Sequence, residues 1–169
     1  MFEINIDLPK NKYNFLNNVE IKKWLMRTND YLNLLLNSPK KQNIRWLRIK
    51  KKIAIKNQYL NILLVGKKTI SQINNQYRKK TNPTNVLSFS NLIEQHQILQ
   101  ADILICYPLI ISYAKEYSID PKFRLVHLII HGYLHILGLD HQQINERKFM
   151  ENLEIELLAN LGYGNPYIL

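Results

Sequence analysis

The chain has 169 residues, of which 46% are hydrophobic, and we expect one domain over residues 1–169 with a substantial core. No run of residues is long and apolar enough to span a bilayer, and the first residues lack the features of a secretory signal peptide. The formal net charge of +10 favours an anionic partner such as nucleic acid, although a chain rich in Lys, Ile and Asn also arises from an AT-rich genome.

Cysteine usage points to the compartment. Cys106 is the single cysteine, so the chain cannot form an internal disulfide or a cysteine-based zinc site. Both facts agree with a reducing cytosol, and we expect a cytoplasmic protein.

The first part of the chain predicts two strands and a helix. Alternating apolar residues predict a half-buried strand over residues 2–8, ended by Pro9. Apolar residues at helical spacing predict an amphipathic helix over residues 18–36. A short apolar run predicts another strand over residues 59–65, closed by Gly66.

The stretch over residues 38–58 has no acidic residue and interleaves cations with apolar side chains. Such a stretch could lie on RNA or on an anionic membrane surface. The alternative is a solvated helix extension or loop. Its cations are Lys40, Lys41, Arg45, Arg48, Lys50, Lys51, Lys52 and Lys56.

The middle of the chain predicts a short helix and a strand. Thr69 and Gln72 have the spacing of a capping box, which predicts a helix that begins there and ends near residue 80. A strand is predicted over residues 86–89, and residues 90–100 are interpreted as a loop. The side chains that the helix should bury are Ile70, Ile73 and Tyr77.

The last part of the chain predicts one strand and three helices. A strand over residues 102–106 is followed by Pro108, which suits the first turn of a helix. Asp120 then provides a helix N-cap, and the helix that follows is apolar almost all round, so we expect it to be central and buried. The last helix is predicted over residues 143–161 and should stop at Gly162.

Three histidines lie at the end of the buried helix. His131 and His135 are four residues apart and share a helical face, so both can face one ion. Gly138 can adopt the left-handed conformation that ends a helix, and the following turn can return His141 to the same ion. Three imidazoles and a water are typical of a catalytic zinc site. The alternative is a buried helix with stray histidines.

The spacing matches that of metzincin peptidases, H-E-x-x-H-x-x-G-x-x-H, with one change. Gly132 stands where those enzymes have the glutamate that accepts a proton from water, so the sequence argues against a peptidase. His127 lies one turn before His131, and we interpret it as a core or supporting residue. Asp140 either accepts a hydrogen bond from a ligand imidazole or fixes the turn.

Residues 131–141 resemble the signature H-G-x-L-H-L-x-G-Y-D-H of the YbeY family, bacterial rRNA maturation factors described as zinc-dependent endoribonucleases. Residues 77–89 are similar to a second family block, Y-R-x-x-x-x-P-T-N-V-L-S-F, and residues 101–105 to a third, G-D-I-x-I. The ending over residues 161–167 also resembles the family, and the resemblance covers roughly residues 59–167. The departures from the family pattern are Ala101, Ile136 and Leu139.

The resemblance implies an α+β fold, a zincin-like single domain in which a mixed sheet packs with helices and a central helix carries the metal ligands. It implies zinc held by His131, His135 and His141, with Arg78 in the metal cleft. The implied substrate is single-stranded RNA, above all the 3′ end of the small-subunit rRNA, in ribosome quality control. The implied partners are small-subunit ribosomal proteins and the GTPase Era.

Chemistry gives Arg78 a role beside that resemblance. A planar guanidinium offers paired donors that match the oxygens of a phosphodiester, so Arg78 is predicted to be catalytic. The alternative is an ordinary surface cation beside Lys79 and Lys80.

The attacking group and the wider function stay open. Zinc lowers the pKa of bound water to about 7, so either water or the RNA 2′-hydroxyl can attack the phosphodiester. The competing functions are a metal-dependent hydrolase of another substrate and a non-catalytic ribosome-assembly factor whose zinc is structural.

Overall fold

The computed structural model describes residues 1–7, 17–38 and 43–168, so the predicted strand end at Leu8 and Pro9 lies outside the described residues. Helices and strands are interspersed along the chain. They are β1 (Phe2–Asp7), α1 (Asn18–Leu36), α2 (Ile44–Ile53), β2 (Asn57–Val65), α3 (Lys67–Arg78), β3 (Val86–Ile93), a 3-10 turn (Glu94–His96), β4 (Ile98–Cys106), α4 (Tyr107–Glu116), α5 (Pro121–Ile136) and α6 (Ile144–Asn160).

The strands form one mixed sheet in the order β1-β2-β4-β3. β1 pairs with β2 in parallel, and β2 pairs with β4 in parallel. β3 and β4 are antiparallel, with Val86 opposite Ile105 and Ile93 opposite Ile98. The α+β class and the mixed sheet predicted from the resemblance are therefore confirmed.

α5 is the central helix of the fold. Asp120 caps its first turn by accepting a hydrogen bond from the Lys122 amide at 2.8 Å, as the sequence predicted. From Leu125 to Ile136 the helix is buried at nearly every position, against the sheet on one side and α1, α4 and α6 on others. This burial explains why the helix is apolar almost all round. None of the helices in the described ranges combines the length and apolarity needed to cross a membrane.

The predicted capping box is wrong. α3 begins at Lys67, directly after β2, and its N-cap is Gly66 with no side-chain hydrogen bond. Thr69 and Gln72 lie inside the helix, because the strand delivers the chain to Gly66, whose carbonyl accepts the first helical bond from the Ile70 amide at 3.1 Å. Tyr77, expected to be buried, is 63% exposed.

Residues 90–100 are not the predicted loop. β3 runs on to Ile93, and after the short 3-10 turn the chain enters β4 at Ile98, so this region is a hairpin. Ser90 and Asn91 are polar and exposed, which an edge strand such as β3 tolerates while its backbone pairs with β4. With polar residues at these neighbouring positions, the second half of β3 lacks the apolar alternation from which a strand is predicted.

The basic stretch contains a separate helix, α2, which the sequence left undecided. Asn43 caps it by accepting hydrogen bonds from the Arg45 and Trp46 amides. Trp46 and Ile49 are 3% and 0% exposed, so α2 is anchored in the core by its apolar face. Trp46 meets the Phe149 ring edge to face, with centroids 5.5 Å apart.

Candidate metal centre

Three histidines converge at the end of α5. His131 and His135 project from one face of the helix with ring centroids 4.6 Å apart. The helix ends at Ile136, Gly138 adopts a φ of +91°, and the turn brings His141 to ring distances of 5.3 Å from His131 and 5.0 Å from His135. One nitrogen from each ring lies within 4.8 Å of the others. The local geometry therefore follows the sequence expectation.

The orientation of two rings is fixed from behind. His131 Nδ1 donates to the Glu154 carboxylate at 2.8 Å, and His135 Nδ1 donates to the Leu139 carbonyl at 2.9 Å. Because a carboxylate and a carbonyl only accept, both Nδ1 atoms carry a proton, and in the neutral imidazole the Nε2 atom then carries a lone pair.

Those two lone pairs decide whether the residues fit a metal ion. The His131 and His135 Nε2 atoms are 3.1 Å apart. Two acceptors at that distance repel each other unless a proton or a cation lies between them. Burial first, and then the nearby His131, lowers the pKa of His135 to about 4, so His135 is neutral at pH 7. Imidazole nitrogens that converge on one point, as those of His131, His135 and His141 do, fit a metal ion.

Glu154 of α6 is a site residue that the sequence analysis missed. It is 0% exposed, and it accepts hydrogen bonds from His131, from His127 Nε2 at 2.8 Å and from the Tyr167 hydroxyl. Burial alone would raise its pKa, but the hydrogen bonds from His127 and His131 lower the pKa of Glu154 to about 2. An ionised carboxylate thus lies directly behind the His131 ring.

His127 lies in this network and not among the three converging rings. Its Nδ1 accepts a hydrogen bond from the Arg124 guanidinium at 3.1 Å, while its Nε2 donates to Glu154. Burial lowers the pKa of His127, which keeps the ring neutral. Both of its nitrogens are occupied, so it supports Glu154, in line with the interpretation of His127 as a core or supporting residue.

Asp140 takes the second of its two expected roles. Its Oδ1 accepts a hydrogen bond from the His141 amide at 2.7 Å, which fixes the turn that returns His141. The imidazole partners are instead Glu154 and the Leu139 carbonyl.

Gly132 sits where an added Cβ would be too close to two side chains of the sheet. A Cβ at this position would lie 2.9 Å from Ile103 Cγ2 and 2.9 Å from Ser88 Oγ, because α5 packs closely on β3 and β4 there. A side chain at position 132 would therefore have to displace the Ile103 and Ser88 side chains. This close packing strengthens the argument from the sequence against peptidase chemistry.

The Gly132→Ala variant should be less stable than the parent by about 1–3 kcal/mol, since overpacking outweighs the better helix propensity of alanine. Urea unfolding measures the difference. Gly164→Ala is the matched control, because a Cβ there meets nothing within 4 Å, and it should change little. A Gly132→Ala variant as stable as the parent would show that the helix-to-sheet contact relaxes freely.

The histidines open into a cleft of about 440 Å³. Three arginines line it as well: Arg78 from the end of α3, Arg124 from α5 and Arg147 from α6. Arg124 is held over the Tyr113 ring at 4.0 Å, a cation–π contact. A cluster of guanidiniums beside three converging histidines suits a phosphate-bearing substrate.

Comparison with known proteins places the chain in a family. A family model described as Endoribonuclease YbeY matches residues 18–162. The chain belongs to the YbeY family. Its similarity extends to curated relatives named Endoribonuclease YbeY. The relative from Francisella tularensis subsp. novicida is 43% identical over 113 residues, covering 62% of this chain and 68% of that protein. The relative from Francisella tularensis subsp. tularensis is also 43% identical over 113 residues, covering 62% and 66%.

A solved structure also resembles the chain. The solution structure of a Thermotoga maritima protein has a TM-score of 0.49 and 22% sequence identity, covering 96% of this chain and 92% of that one.

Within this YbeY-family chain, the two motif blocks that are far apart in sequence meet in one cleft. Residues 78–88 contribute Arg78, Thr84, Asn85, Val86 and Ser88, opposite the three histidines.

Proposed function

We propose that this protein is a zinc-dependent endoribonuclease that cleaves single-stranded RNA in the arginine-lined cleft. The family and its curated relatives are named for endoribonuclease activity, so the chain is a hydrolytic nuclease and RNA is its substrate. The proposed setting is maturation of the small-subunit rRNA 3′ end and ribosome quality control in the cytoplasm. Small-subunit ribosomal proteins and the GTPase Era are the proposed partners.

The observation that carries the metal assignment is the pair of facing Nε2 lone pairs on His131 and His135, with His141 beside them. His131, His135 and His141 would hold the ion. Zinc suits a set of three imidazoles. When bound, zinc lowers the pKa of water and polarises a phosphoryl oxygen.

The chain's own residues bind and orient the substrate around that ion. Arg78 would donate to non-bridging oxygens of the scissile phosphate, where charge grows during displacement. Arg124 and Arg147 line the same cleft and add positive charge for flanking phosphates. Glu154 and the Leu139 carbonyl keep the two ligand rings in the tautomer that faces the cleft.

The test is cleavage of a small-subunit rRNA precursor by purified protein, with and without a chelator, and with product ends mapped. We expect cuts in single-stranded segments that stop when the metal is removed. A 3′-hydroxyl product would identify water as the attacking group, and a 2′,3′-cyclic phosphate would identify the RNA 2′-hydroxyl.

Other outcomes would support the competing functions. Zinc-loaded protein that binds the precursor, does not cut it and loses thermal stability on chelation would be an assembly factor with a structural ion. Cleavage of casein would indicate a peptidase, against the close packing at Gly132.

The Glu154→Gln variant should bind zinc about 10- to 100-fold more weakly, because a neutral amide supports the His131 imidazole less well than a carboxylate. Competition with a chromogenic chelator measures the affinity. Glu156→Gln is the control, since it makes the same change on the same helix but its carboxylate accepts from Tyr31 at 3.1 Å. Equal zinc affinity in the two variants would remove Glu154 from the metal centre.

A further inference from the structure

α2 presents a strongly basic surface that the cleft does not account for. The burial of Trp46 and Ile49 fixes which side of the helix is inward. Arg48 and Lys51, three residues apart, lie on the opposite, outward side and are exposed. No acidic residue occurs from Asn43 to Asn57. The cations of this segment are Arg45, Arg48, Lys50, Lys51, Lys52 and Lys56.

This basic helix adjoins the rim of the cleft. The Arg48 guanidinium lies 3.4 Å from the Glu146 carboxylate in the first turn of α6. The next residue, Arg147, lines the cleft. The Arg48 Cβ lies 3.7 Å from where a Cβ on Gly138 would be, and Gly138 lies between the ligands His135 and His141. A strand that leaves the cleft past Arg147 therefore reaches α2 next.

The positive charges of the α2 lysines are available to a ligand. Glu146 pairs with Arg48, and within the described parts of the chain Lys50, Lys51 and Lys52 form no ion pair. Exposed cations that no acid neutralises attract a polyanion and release its counterions on binding.

We propose that α2 carries the single-stranded RNA beyond the cleft, with Lys50 and Lys51 contacting phosphates of nucleotides next to the cleavage site. The inference rests on the proposed function, since the strand in the cleft is RNA. Contacts of this kind position the strand and do not read its sequence. α2 therefore raises affinity for long substrates without touching the reacting phosphate.

Two other occupants fit the helix less well. A basic amphipathic helix that lies on a membrane buries its own apolar face in the lipid, but the apolar face of α2 is buried in the protein core. Ile44 and Leu47 are exposed on the outward side, which a protein partner could use. The uninterrupted positive charge favours the polyanion, and the protein partner becomes an outcome of the test.

The test compares the Lys50→Gln/Lys51→Gln variant with the parent holoenzyme. The specificity constant kcat/KM for cleavage is measured against salt on single-stranded RNAs of about 4 and about 16 nucleotides, the range of common single-strand site sizes. Lys22→Gln/Lys23→Gln is the matched control, because it also neutralises two neighbouring exposed lysines, on α1. Lys50→Arg/Lys51→Arg keeps both charges and should behave as the parent.

On the long RNA, the α2 variant should lose about 0.7 in the slope of log kcat/KM against log salt for each phosphate contact removed, and on the order of tenfold in kcat/KM at low salt. On the short RNA it should match the parent, and the control should match on both. An unchanged slope on the long RNA would overturn the proposal and leave α2 for a protein partner. A parent that cuts neither RNA would instead reject the proposed function, and this inference with it.

Discussion

The His135→Ala variant is expected to lose its zinc and its RNA cleavage together. The parent should contain about one zinc per chain, and the variant close to none, because two imidazoles and water hold zinc far more weakly than three imidazoles do. His135 contributes a neutral nitrogen that faces His131 Nε2 at 3.1 Å, and alanine removes that nitrogen. Metal analysis of the purified variant measures the loss.

The control for this variant is His96→Ala. His96 is exposed in the 3-10 turn between β3 and β4, outside the three converging rings. It should keep the zinc and the parental cleavage rate. Full zinc retention by His135→Ala would contradict the three-histidine site, whatever the cleavage rate.

The order in which properties disappear separates a catalytic ion from a structural one. Alanine at position 135 also removes the hydrogen bond that the ring donates to the Leu139 carbonyl, so a modest loss of stability is expected. If the ion were structural, removing zinc from the parent would lower its melting temperature as much as the His135→Ala substitution does. The parent would then leave RNA uncut both with zinc and without it.

The histidine cluster was predictable because its geometry is local. His131 and His135 share a face through the helical repeat alone, and Gly138 permits the left-handed turn wherever the helix lies in the fold. The buried character of α5 was also visible, since a helix apolar all round has to be surrounded. Neither inference required knowledge of the sheet.

Glu154 was harder to predict because it depends on how two helices pack. It is 23 residues from His131, and only the docking of α6 on α5 brings them together. A signal was present in the sequence: Glu154 lies on the stripe of α6 that contains Met150, Leu153 and Leu157, all buried. An acid on a buried stripe needs hydrogen-bond donors, so it indicates a partner such as a histidine.

The sheet order and the β3–β4 hairpin could not be obtained from periodicity. Strand pairing joins residues distant in sequence, and the polar Ser90 and Asn91 conceal the strand that contains them. The position of α2 was equally hidden, because its cations suggested a solvated segment while Trp46 and Ile49 anchor it. Backbone pairing determines the hairpin and core packing determines the position of α2, and composition reveals neither.

The contribution of Arg78 is the second large effect that we expect. Arg78→Lys should lower the RNA cleavage rate by about 10- to 1000-fold, by analogy with the removal of one oriented donor from other active sites. Arg78 lies at the end of α3 and lines the cleft with the three histidines. A lysine keeps the charge but loses the planar pair of donors that matches two phosphoryl oxygens.

Zinc content and melting temperature separate this role from a structural one, and both should stay as in the parent because Arg78 is exposed and is not a proposed ligand. Arg27→Lys is the control: the same exchange on α1, where the Arg27 guanidinium donates to the Asn160 carbonyl. It should cleave as the parent does. If Arg78→Lys also cleaves the rRNA precursor at nearly the parental rate, Arg78 is a surface cation, and the charge on the scissile phosphate must be met by other residues of the cleft, with Arg124 and Arg147 the first to test.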